Sequence, residues 1–265
     1  MRDVLLPAYT PSLFIGRDEE IERVSRKVER LVENLAVATP HIAFYGSLGS
    51  GKSWFLRRLQ DVLVERFGER ITILFLSPNP SSPAPVEDVL TEACRKMGIK
   101  VSLLTLGDLS CRLTNECQNH PRPIVVIVDE LDKMGLNHLE LLRDYFIYHL
   151  CRIPHILLVL GSRVPGLWRE LRDIGLERRT EEMELSPFDE ARTRAQIAAL
   201  GYNADLAPQI LAVSGGYPLS NAILAAGWAT DPGKALQDCA EALLDGVESR
   251  LRPYFWALCS LDSIK

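Results

Sequence analysis

Gly46-Ser47-Leu48-Gly49-Ser50-Gly51-Lys52-Ser53 lies between the apolar run His41-Ile42-Ala43-Phe44-Tyr45 and the helix-like Trp54-Phe55-Leu56-Arg57-Arg58-Leu59. Strand, glycine-rich loop and helix in that order make a phosphate-binding loop, and the pattern GxxxxGK[ST] has a physical reason at each fixed position. Glycines let backbone N–H groups converge on phosphate oxygens, Lys52 brings positive charge to the β and γ phosphates, and the Ser53 hydroxyl reaches Mg2+. The helix N-terminus adds the positive end of its dipole. Gly46, Ser47, Leu48, Gly49, Ser50, Gly51, Lys52 and Ser53 are therefore the expected contacts of a nucleoside triphosphate. Trp54 is counted with them by position, although its side chain is expected to face the sheet as core.

Outward from the loop, short β-rich runs alternate with helical patterns, which predicts a mostly parallel sheet with crossover helices. Strands are expected at 42–45, 71–76, 124–128, 156–160 and, more weakly, 181–185, and helices near 18–36, 52–66, 86–97, 105–119 and 137–150. The strands are near-continuously apolar, as in a sheet covered on both faces, so a five-stranded α/β three-layer sandwich is expected, with the nucleotide at the carboxyl ends of its strands. Ser77-Pro78-Asn79-Pro80-Ser81-Ser82-Pro83-Ala84-Pro85 reads as a stiff loop. After Pro187 strand signals stop, and helices are expected near 188–200, 204–214, 217–229 and 233–245. The expected organisation is an α/β domain over 1–186 and a small all-helical domain over 187–245, with 246–265 beginning something further.

The net charge of −5 over 265 residues gives no overall attraction to nucleic acid, which is therefore not the favoured partner. The six cysteines form no CxxC pair and read as free thiols of a reducing compartment. No apolar stretch reaches the length of a membrane span and the N-terminus has no cleavable leader pattern, so a cytoplasmic protein without a membrane partner is expected.

A second chemical element is Ile124-Val125-Val126-Ile127-Val128-Asp129-Glu130, a buried-strand run ending in two carboxylates. Asp129 is placed to hold Mg2+ with Ser53, and Glu130 to orient and deprotonate an attacking water. An acidic pair after a strand can also cap the next helix, but the loop upstream favours the first reading.

Together these motifs resemble the P-loop ATPases of the AAA+ and STAND kind, over about residues 12–230. Leu13-Phe14-Ile15-Gly16-Arg17-Asp18-Glu19-Glu20-Ile21 is similar to their "F-x-G-R-x-x-E" entry segment, so the resemblance puts Ile15, Gly16 and Arg17 beside adenine; the same residues also suit a helix N-terminus capped by Asp18. Leu160-Gly161-Ser162-Arg163 resembles the sensor-1 segment, which makes Arg163 the candidate γ-phosphate contact, with a solvated surface arginine as the alternative. Ser214-Gly215-Gly216-Tyr217-Pro218-Leu219 resembles the STAND "GG-x-P-L" corner, whose proline packs on the adenine ring; an ordinary helix–turn–helix corner has the same residues. The resemblance implies a helical lid over 187–245 and cofactors ATP and Mg2+. It also implies an ATPase of low turnover that switches partners or assembles with copies of itself, with Glu130, Lys52 and Arg163 catalytic.

Two alternatives accompany that switch: an AAA+ ATPase acting on nucleic acid, and a nucleotide-binding scaffold with negligible turnover. Arg178 and Arg179 occupy the region of an AAA+ arginine finger, or else form a solvated basic turn. Leu251-Arg252-Pro253-Tyr254-Phe255-Trp256 reads as the first helix of a winged helix, cut short at Lys265. The five histidines are expected to be structural or surface residues.

Overall fold

The computed structural model describes residues 8–102, 104–166 and 174–245. The expected winged-helix segment lies outside them. The described chain divides into two compact units, one of Arg17–Ser47 and Lys52–Leu185, the other comprising the N-terminal segment to Gly16, Leu48–Gly51 and the helices from Ser186 onward.

The first unit contains α1 (Asp18–Val32), β1 (His41–Tyr45), α2 (Lys52–Phe67), β2 (Thr72–Leu76), α3 (Pro85–Lys96), α4 (Leu106–Asn119) and β3 (Ile124–Val128). After these come α5 (Leu136–Leu142), β4 (Ile156–Ser162), the short α6 (Ile174–Arg179) and β5 (Thr180–Glu184). The sheet order is β2-β3-β4-β1-β5, and every pairing is parallel rather than mostly so. Tyr45 is in register with Ser162, and Val128 with Leu160, so the chain leaves β1, β3 and β4 side by side at one edge.

Alternation within the strands builds the three layers. Ile124, Val126, Val128, Ile156, Leu158 and Leu160 pack with Val86, Leu90, Leu109, Leu113 and Leu142 from α3, α4 and α5 on one face. The intervening Val125, Ile127, Leu157 and Val159 are equally buried on the other face, toward which α1 and α2 pack. Phe55 of α2 meets Phe44 of β1 edge to face at a centroid distance of 4.5 Å. Trp54 does not fill that place: it is half-buried, because the helix turns Phe55 and Leu56 toward the sheet instead.

Three boundaries differ from expectation for local reasons. The first helix ends at Val32 rather than near 36, because Asn34 takes a left-handed φ of 56°. The Asn34 N–H then donates to Leu31 and the Leu35 N–H to Arg30, a Schellman stop. Its N-cap is Arg17, also left-handed at φ 70°, and not Asp18, which is the first helical residue. Pro85, read as loop, opens α3, where the missing N–H costs nothing. Beyond α5 the helix widens into a π-helical stretch, Arg143–Ile147, before a last turn at Tyr148–Leu150.

Both sheet margins are furnished with charge. Along β5, Glu181 pairs with Arg23 at 2.6 Å and Lys27 at 3.1 Å, and Glu182 accepts the Gly166 N–H. At the other margin Lys96 Nζ donates to the carbonyl of Phe75 in β2 at 2.6 Å.

His41, the first residue of β1, is fully buried: Nε2 bonds the Cys151 carbonyl at 3.2 Å and Nδ1 accepts the Leu158 N–H at 3.3 Å, which fixes a neutral ring. Burial, aided by the charges of Arg179 and Lys27, pushes its pKa down from 6.5 to about 4. A folded value below the unfolded one means that stability is whole above pH 6.5 and falls as the pH drops toward 4, by about 3 kcal/mol at most. The imidazole C–H signal of His41 should accordingly show no titration above pH 5 by NMR, whereas a midpoint near 6.5 would contradict the burial argument.

In the second unit, α7 (Glu190–Ala199), α8 (Ala207–Ser214), α9 (Pro218–Gly227) and α10 (Pro232–Asp245) enclose Ile197, Ile210, Ile223, Leu224, Ala235 and Cys239. Asp189 caps α7 by accepting the Arg192 N–H. A buried polar cluster braces the α8–α9 corner: Ser214 Oγ donates to Asn221 Oδ1 at 2.5 Å and accepts the Gly216 N–H at 3.0 Å. Asn221 Nδ2 donates to Gln196 Oε1 at 3.0 Å, and Gln196 Nε2 in turn donates to the Pro218 carbonyl at 2.8 Å. Every one of these groups is matched, which is the condition for a buried polar network to hold a shape.

Candidate functional site

The carboxyl edge of the sheet in the first unit collects the charged residues singled out by motif. Lys52, the first residue of α2, folds back so that its ammonium donates to the Gly46 carbonyl and to the Ser47 carbonyl, the latter at 3.2 Å. Burial draws its pKa below the ordinary value, against the opposing pull of Asp132; Arg163 lowers it further, and Asp129 and Glu130 raise it. Asp129 is 3% exposed. Burial raises its pKa, opposed by a hydrogen bond from Ser53 and one from the Glu130 N–H. The Glu130 N–H contact measures 2.8 Å. Ser53 and Asp129, proposed from sequence as a pair, are therefore in contact.

A hard cation suits that pair of oxygens, with phosphate and water completing its shell. Among the described residues no group of three or more His, Cys, Asp or Glu side chains could hold a metal ion.

Glycine at 161 makes the pocket for Asp129. A Cβ there would lie 2.8 Å from Asp129 Oδ1 and 2.9 Å from Leu56 Cδ1, both closer than real contacts allow. Position 161 was legible only as part of a strand end, and its steric role emerges from the pairing of β3 with β4.

Glu130 adopts the left-handed region (φ 58°, ψ 31°), uncommon for a residue with a side chain. Lys133 Nζ contacts its carboxylate at 2.5 Å. Arg163, just past the end of β4, is held by Asp132: its N–H donates to Oδ1 at 2.8 Å and its Nε faces Oδ2 at 3.0 Å. Neither Asp132 nor Lys133 was singled out from sequence. The available signal was a third carboxylate and a lysine in Asp129-Glu130-Leu131-Asp132-Lys133, on the one-turn 3-10 helix Leu131–Lys133.

The entry segment divides. Gly16 is left-handed at φ +70°, and a Cβ there would lie 3.4 Å from Arg192 in the second unit, where Ile15 is half-buried. Arg17 in the first unit is 3% exposed and pairs with Glu20 at 3.2 Å, a helix-start role. Arg178 is exposed, and Arg179 acts on His41 at the start of β1, the opposite end of that strand from Gly46.

Within the second unit, Leu48–Gly51 lie against the first turn of α9. The Leu219 N–H donates to the Gly49 carbonyl at 3.1 Å, and a Cβ on Gly51 would lie 3.7 Å from Pro218 Cγ. Pro218 and the glycines of the phosphate loop, 167 positions apart at Gly51, are thus neighbours.

A parallel five-stranded sheet of order 2-3-4-1-5, with a P-loop after the first strand and paired acids after the third, is an α/β P-loop fold. Residues 38–162 match the family described as AAA domain. No curated protein matches the chain by sequence. Among solved structures, the Aeropyrum pernix ORC1 protein in complex with DNA is similar at a TM-score of 0.59 and 19% identity, over 92% of this chain and 64% of that one. CDC6P from Pyrobaculum aerophilum gives 0.60 at 13% identity, over 92% and 72%. The Aeropyrum pernix ORC2 protein, in ADPNP–ADP complexes, gives 0.60 at 14% identity, over 95% and 83%. This chain therefore spans under two thirds of the length of the ORC1 protein, and the likeness at such identities is one of fold. Among the described residues no helix is long and apolar enough to cross a membrane.

Proposed function

We propose that this chain binds Mg-ATP and hydrolyses it slowly, as a nucleotide-operated switch of the STAND kind. The observation that supports this most is the cluster of Lys52, Ser53, Asp129, Glu130 and Arg163 at the ends of three adjacent strands, where a triphosphate following the P-loop would lie. In this reading Lys52 and the loop N–H groups hold the β and γ phosphates, Arg163 contacts the γ-phosphate, and Glu130 takes the proton of the attacking water. Ser53 and Asp129 hold Mg2+, which supplies charge neutralisation to the phosphates. Ile15, Gly16, Arg17 and Pro218 border the adenine, with α7–α10 as a lid over 187–245. Contact of Leu219 and Pro218 with Gly49 and Gly51 supports a lid that responds to the state of the loop. A switch of this type needs triphosphate and diphosphate to favour different states of the protein and so to expose different surfaces to a partner or to a second copy.

A second reading, an ATPase acting on nucleic acid, is favoured by the fold likeness to the ORC1 protein solved with DNA. The net charge of −5 weighs against it.

One experiment addresses both. Calorimetric titration of Mg-AMP-PNP should show binding that Lys52→Ala weakens about thirtyfold or more, the loss of a charge-assisted phosphate contact. Equal affinity in the variant would remove the P-loop reading. Duplex DNA in the same titration, at 50 and 200 mM salt, should have no effect under the switch reading, while salt-sensitive DNA affinity would transfer the preference to the second.

A further inference from the structure

We infer that Asp132 is the positioning residue for Arg163, fixing the guanidinium at the end of β4 so that the site distinguishes a nucleoside triphosphate from a diphosphate. This rests on the reading of Arg163 as the γ-phosphate contact.

The two residues come from neighbouring strand ends. The parallel ladder ties β3 to β4 as far as Val128 and Leu160; beyond it β3 ends, while β4 runs on beside β1 to Ser162. Asp132 spans that gap with both carboxylate oxygens, one taking the Arg163 N–H at 2.8 Å and the other its Nε at 3.0 Å. The backbone contact fixes where the chain departs from β4, and the Nε contact fixes the direction of the side chain. An exposed ion pair does little of this, since solvent screens it and two long side chains must be ordered. Here the aspartate is short, carried on a one-turn helix, and its side chain is 11% exposed, with Arg163 at 30%. A charge-assisted, two-point contact of that kind preorganises the guanidinium before any phosphate arrives. The same carboxylate acts on Lys52, raising its pKa against the effect of burial.

A purely structural staple at the end of β4 would have the same bonds but different consequences. Loosening it would weaken every nucleotide alike, whereas a positioning role touches only the ligand that reaches Arg163.

The test uses the whole chain and two probes, Mg-AMP-PNP and Mg-ADP, titrated calorimetrically into the parent, Asp132→Asn, Arg163→Gln and the double variant. Asp132→Asn keeps the size and one acceptor for the Arg163 N–H while removing the charge. It should weaken AMP-PNP about tenfold, leave ADP within about twofold, and add nothing to Arg163→Gln in the double variant. Unchanged ADP affinity certifies that the variant folds. An equal loss for both probes, or additive losses in the double variant, overturns the proposal. In parallel, the Arg163 Nε–H resonance of protein labelled with 15N-arginine should shift in Asp132→Asn without nucleotide. An unmoved resonance overturns the contact itself. Should the resonance move while the parent binds neither probe, it is the nucleotide reading that fails.

Discussion

Glu130→Gln should leave AMP-PNP affinity within about threefold of the parent and lower steady-state ATP hydrolysis about a hundredfold or more, the range of a lost general base. The amide keeps the volume and one oxygen of the carboxylate, so the phosphate contacts of Lys52 and the loop are untouched; it cannot accept the proton of water. The backbone supports the assignment. A glutamate held at φ 58° is strained, and strain of this kind gathers where a side chain must be aimed rather than where packing is easy. Its present partner, Lys133, is an exposed residue at a contact worth about 1 kcal/mol or less, which a water and a γ-phosphate can displace. The check is phosphate release under saturating ATP beside calorimetric binding. Turnover at the parent rate would remove Glu130 from the base role.

Gly216→Ala should destabilise the helical unit by about 4 kcal/mol, a large share of the roughly 5–15 kcal/mol that holds a domain together. Gly216 has φ +81°, and a Cβ there would stand 2.1 Å from the Phe188 carbonyl oxygen. The obstacle is backbone, so no side chain can swing away. Phe188 is pinned from the other direction too, since its N–H donates to the Gly216 carbonyl at 2.8 Å. Relief requires breaking that bond and the Ser214 contact to the Gly216 N–H, which opens the Asn221 cluster. Hydrogen exchange by mass spectrometry should show lost protection across Phe188 and α8–α9. Parent-like protection there, with an unchanged melting temperature, would show that the corner yields cheaply.

β1 to β4 were legible because each is a short apolar run bounded by polar turns, and the P-loop because its glycines and Lys52 serve one chemistry at fixed spacing; β5 was weaker because three of its five residues are glutamates. Helix ends were less so. Asn34 stops α1 through a left-handed residue that no periodicity announces, and the Trp54–Phe55 exchange depends on the phase at which α2 meets the sheet. The sequence order of Asp129 and Glu130 signalled a site, yet Asp132 gained meaning only once β4 was set beside β3. Gly161 is the same case: its small size matters for what lies across the ladder, and nothing near it in sequence reveals that. Arg17 also has a local role that its motif does not announce, since its buried pairing with Glu20 lies at the start of α1. The α8–α9 corner was readable as glycines and a proline; the three polar side chains that brace it come from three helices and were not.

The two margins of the sheet carry a consequence for the solution behaviour of the protein. An open strand offers unpaired N–H and C=O groups to any extended peptide, including a copy of itself. On one flank the β5 carboxylates would have to shed water before a strand could dock, and Glu182 already occupies the Gly166 amide. On the other, the ammonium of Lys96 sits on the Phe75 oxygen that an incoming amide would need. Growth of this sheet by accretion is discouraged at both ends, so copies of the chain that meet at high concentration are directed toward contacts between side-chain surfaces and away from fibrous, backbone-to-backbone association.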